Sequence, residues 1–68
     1  MTEQMQVHSE QNRDLVEINE TTNNTEVAIA RLERLERRHP RNSSIRASLS
    51  LLRQAKGRIS GILEELLE

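Results

Sequence analysis

Five arginines fall between residues 34 and 46, at Arg34, Arg37, Arg38, Arg41 and Arg46. Guanidinium groups gathered this closely can hold phosphates or carboxylates, because each offers a planar fork of donors. Chemistry beyond binding lacks its residues. There is no cysteine, so disulfides and thiolate metal sites are excluded. His8 and His39 stand far apart without ligand spacing, and the serines and carboxylates are scattered. No catalytic, cofactor-binding or metal-binding residue is assigned, and the expectation is a protein that is not an enzyme.

Charge separates along the chain. Residues 31–58 carry nine Arg or Lys against Glu33 and Glu36, a balance of +7. The remainder carries Arg13 against nine carboxylates, a balance of −8. A segregation of this kind is often only a solvated surface. It can also steer an oppositely charged partner. Phe, Tyr and Trp are absent, which disfavours single-stranded nucleic-acid binding by base stacking. The net charge of −1 and the lack of a trihelical or basic-zipper pattern place DNA binding second to protein binding.

Two amphipathic helices must position these groups. In residues 44–67, Ile45, Leu49, Leu52, Lys56, Ile59, Leu63 and Leu66 follow alternating spacings of four and three, a heptad seam with one charged member. Ala55 and Ile62 widen the stripe and Leu51 extends it, as suits a bundle helix with two neighbours. Asn42, Ser43 or Ser44 can supply the N-cap. Lys56 is expected to snorkel outward or to pair with a carboxylate across a subunit interface. Gly57 and Gly61 have the spacing of a close helix crossing, and the competing reading is a pair of tolerated glycines.

The first helix, about 12–38, carries the same period in Leu15, Ile18, Thr22, Thr25, Ile29, Leu32 and Glu36. Ala28 and Leu35 broaden its C-terminal half. Pro40 pushes His39 out of α geometry and stops the helix, and Glu33 and Arg37 have the spacing of a favourable i,i+4 pair. Thr21–Thr25 is poor in helix formers, and Asn23 with Glu26 reads as a capping box. The heptad phase nevertheless survives that stretch, so one continuous helix with a polar, kinkable layer is expected.

The turn at 39–43 is the right length for an antiparallel αα-hairpin. If residues 39 and 44 face each other, facing pairs sum to about 83. Leu35 then meets Leu49, Leu32 meets Leu52, Ala28 meets Ala55 or Lys56, and Ile18 meets Leu66. Leu15 falls beyond the second helix, and residues 1–14 overhang or fray, with Met5 and Val7 their only interior apolar members. A single domain of 68 residues has a marginal core, so a homodimer forming a four-helix bundle is expected. Its core comprises Leu15, Ile18, Ile29, Leu32, Leu35, Ile45, Leu49, Leu52, Ile59, Ile62, Leu63 and Leu66. Val16, Val27, Leu51 and Leu67 lie off the seams. Val27 and Leu51 join the five arginines as candidate partner-binding residues.

No run of about 18 apolar residues suggests a membrane span. MTEQMQVHSEQNRD lacks the features of a secretory signal, so a cytoplasmic location is expected.

A long helix ending in ERRHPRNSS, followed by a shorter one ending in ILEELLE, resembles small phage-encoded host-takeover proteins. These include the hairpin-dimer anti-activators that sequester quorum-sensing transcription regulators. The resemblance implies a protein of the host cytoplasm that binds a host regulator and blocks its DNA contact. It carries over no individual functional residue. The function expected is therefore non-enzymatic inhibition or sequestration of a regulatory protein. The alternatives are a DNA-associated accessory protein using the basic tip and a structural adaptor subunit.

Overall fold

The computed structural model describes the backbone of residues 2–68 and the side chains of residues 10–68. Two helices account for nearly all of it: α1 (Thr2–Arg38) and α2 (Ser43–Leu67) pack against each other as a hairpin. The α1 backbone is helical from Thr2, ahead of the expected start at about residue 12. Glu, Gln and Met are good helix formers, and no proline or glycine interrupts them there. Met5, Val7 and His8 lie outside the residues whose side chains are described.

The turn closes as the sequence suggests. The His39 N–H donates to the Leu35 carbonyl at 2.8 Å, and the Asn42 N–H donates to the His39 carbonyl at 3.1 Å. Asn42 is the N-cap of α2, its extended backbone letting Oδ1 accept from the Ile45 N–H at 3.1 Å.

Thr21–Thr25 is helical throughout, so the capping-box reading of Asn23 and Glu26 gives way to continuity. Thr21, Thr22 and Thr25 donate their hydroxyls to the carbonyls of Glu17, Ile18 and Thr21, at 2.8, 2.9 and 2.7 Å. Back-bonding of this kind satisfies the hydroxyls within the helix. Thr22 and Thr25 can therefore occupy half-buried seam positions without partners on α2.

Burial follows both heptads. The seam residues of α1 and α2 are all buried or half-buried, with Ile29 and Leu49 the buried ones and Leu49 alone fully so. Ile62, expected in the core, is 42% exposed, because in a single hairpin it flanks the seam and has no opposing helix. Leu15, expected beyond α2, is half-buried. Gln11 Nε2 donates to the Leu66 carbonyl at 3.2 Å. That carbonyl is among those a helix C-terminus leaves free, and it projects onward along the axis past the last facing pair. α2 thus reaches alongside residues before Leu15, and the overhang is shorter than fourteen residues.

Neither glycine serves the packing of α1 on α2. A Cβ built on Gly57 or Gly61 meets nothing within 4 Å, and both positions point away from the seam. Gly57→Ala and Gly61→Ala should each raise stability by about 0.5–1 kcal/mol in urea melts followed by circular dichroism. Loss of self-association in either variant would instead reveal a close crossing between copies. Leu49, 1% exposed, is the side chain whose removal matters most. Leu49→Ala should cost about 2–5 kcal/mol, whereas Val16→Ala, at an exposed position, should shift stability by about 0.5 kcal/mol or less.

Candidate functional site

Around the turn, helix geometry gathers the arginines that the sequence spreads over two elements. Arg37 and Arg38 form the last turn of α1, where the helix dipole favours cations. Arg41 lies in the turn itself, and Arg46 is on the first turn of α2. Arg34 lies one turn back on the outer side of α1. All five are exposed. Arg46 donates from Nη1 to the Pro40 carbonyl at 3.4 Å, a long contact that folds its side chain over the turn. His39, Pro40, Arg41 and Asn42 line an open hollow at this end. The tip therefore offers cationic forks on a short, backbone-bonded loop.

Val27 and Leu51 do not join into one surface. Val27 sits opposite the seam on α1, in line with Arg34 seven residues on. Leu51 lies on α2 beside Ala55 and Arg58, on a flank of the seam, and is 66% exposed. The two candidate apolar contacts thus face different directions.

The two flanks of the seam differ in chemistry. On one, Glu33 pairs with Arg53 at 3.9 Å, and Glu26 pairs with Lys56 at 3.3 Å. Lys56 therefore has its carboxylate within its own hairpin. Glu33, expected to pair with Arg37 along α1, instead reaches across to α2. The register alone did not point to this pair, since facing positions that sum to about 83 place Ser50 opposite Glu33 and Arg53 about one turn away. On the other flank, the positions beside the seam hold Thr21, Ala28 and Leu35 on α1, with Ser48, Ala55 and Ile62 on α2. Among the described residues, no group of three His, Cys, Asp or Glu side chains is placed to hold a metal ion. No described helix is long and apolar enough to cross a membrane.

Comparison with protein-family models, curated proteins and solved structures finds no match to this chain.

The members of both ion pairs are about half-exposed, so each contributes about 0–1 kcal/mol. Lys56→Leu should leave thermal stability and self-association intact or raise them, since it completes an apolar seam. Dissociation of the variant into monomers, seen by sedimentation, would show that Lys56 makes a necessary contact with a second copy.

Proposed function

We propose that this chain is a non-enzymatic interaction module that acts as a homodimeric four-helix bundle. It binds a regulatory protein through the basic tip and inhibits or sequesters it. The observation that carries this reading is the set of exposed arginines around a capped turn, at the opposite end of the rod from an acidic terminus. A rigid cationic tip suits an acidic protein surface, because electrostatic complementarity accelerates encounter and selects orientation. A regulator of host transcription fits the architectural resemblance to phage takeover proteins, whose action is in the host cytoplasm. Val27 extends the same outer face beyond Arg34 and supplies an apolar contact there.

DNA association is the second reading, favoured by the same arginines, since they can neutralise phosphates. Against it stand the acidic far end and a net charge of −1. A structural adaptor would use the same surfaces without inhibiting its partner.

Affinity capture from bacterial lysate, with and without nuclease, separates the first two readings. A stoichiometric protein that survives nuclease supports the interaction module. Recovery of nucleic acid that nuclease abolishes supports DNA association. With the captured protein in hand, Arg38→Glu combined with Arg41→Glu should slow association about tenfold or more at low salt, with a smaller effect at high salt. Unchanged association kinetics at low salt would remove the tip from the binding surface, and regulator activity measured with and without the protein distinguishes an inhibitor from an adaptor.

A further inference from the structure

We infer that the apolar flank of the seam, containing Ala28, Leu35, Leu51, Ala55 and Ile62, is covered by a second copy of this chain. The copies run antiparallel, the basic tip of each beside the acidic end of the other. This rests on the dimeric reading above and specifies its interface and orientation.

Surface area supports an occupant. A compact chain of 7.9 kDa exposes about 4,400 Å² by the scaling of area with mass. This chain exposes 5744 Å², an excess of about 1,300 Å² over that scaling. A rod of 59 × 16 × 12 Å has such an excess by its shape, and that surface is open to a partner. A stable interface takes about 800 Å² from each partner, which the excess can supply.

The choice of flank follows from the helical phases. With the two seams facing each other in antiparallel helices, Ala28 and Leu35 fall on the same side as Ala55 and Ile62. The Glu33–Arg53 and Glu26–Lys56 pairs lie on the other side. One flank is thus closed by ion pairs, and the other is uncharged beside the seam, apolar at its centre with only the hydroxyls of Thr21 and Ser48 added. Leu51, 66% exposed, and Ile62, 42% exposed, are large side chains on that uncovered side.

Charge sets the direction. Facing positions that sum to about 83 put Ala28 level with Ala55 at the middle of the patch. An antiparallel two-fold through that point lays α1 over its own copy. Arg38 then lies near Glu17 of the partner copy. Parallel packing would lay α1 over α2 of the second copy, setting Glu17 against the partner's Glu65. Like charges opposed at both ends disfavour that arrangement.

The cysteine-free chain allows a direct test on purified protein, with no other partner present. Under mild oxidation, Ala28→Cys alone should form a disulfide-linked dimer, because antiparallel packing brings residue 28 to its own copy. Ser60→Cys, on the ion-paired flank, should not. Ile62→Arg should shift sedimentation to monomers while circular dichroism still reports helix. Arg38→Glu should raise the dimer dissociation constant about fivefold or more at low salt, and adding Glu17→Arg should restore it. A monomeric wild-type protein at about 100 µM overturns both the dimer and this interface. A dimer that cross-links at Ser60 but not at Ala28 keeps the dimer and overturns the flank. Cross-linking only in a mixture of Ala28→Cys and Ala55→Cys overturns the antiparallel orientation. Each result leaves the capture with and without nuclease, which uses the unaltered protein, to stand separately.

Discussion

Two helices that meet along one line can bury only the residues on that line, and everything else in this hairpin depends on that constraint. The seam from Leu15 to Glu36 meets the seam from Ile45 to Leu66, yet among the described residues burial reaches only Ile29 and Leu49. Each remaining seam residue keeps a side open, because no third helix covers it. Stability is then concentrated in the central aliphatic contacts. The ion pairs that border them are half-exposed and screened by water.

The same geometry explains how the chain accommodates polar residues inside its long helix. Thr22 and Thr25 sit in the seam, where α2 offers aliphatic neighbours and no hydrogen-bond partners. Their hydroxyls return to the carbonyls of Ile18 and Thr21, and no buried side-chain nitrogen or oxygen among the described residues lacks a hydrogen-bond partner. The cost in intrinsic helix propensity is spread over five residues and offset by continuity of the seam on either side. At the opposite end, Asn42 resolves the equivalent problem for α2 by capping its first turn. The compact turn that results carries the arginines on a defined backbone, which a binding surface requires.

The flanks give the hairpin two unlike sides. Ion pairs occupy one, while alanine, leucine and isoleucine, joined by Thr21 and Ser48, occupy the other. A sided rod with a basic tip and an acidic end is suited to self-complementary assembly, in which each copy supplies the opposite charge and the same apolar patch. The outer arginines, Arg34 and Arg37 among them, stay available on such an assembly. Self-association and recognition of another protein then share Arg38 at the tip and otherwise use separate surfaces.

Much of this was legible in the residue order. The four-three spacing identified both helices and every seam position. Pro40 located the end of α1, and the survival of phase through Thr21–Thr25 pointed to an unbroken helix. Those features are local, set by periodicity and backbone chemistry within a few residues of each position. The start of α1 was not legible, because a polar stretch of good helix formers carries no heptad signal. The partners of Glu26 and Glu33, the half-burial of Leu15 and the separation of Val27 from Leu51 required the pairing of the two helices. Spacing within one helix specifies a face, but which side chains meet depends on the register and relative rotation of two helices, and only tertiary packing sets those.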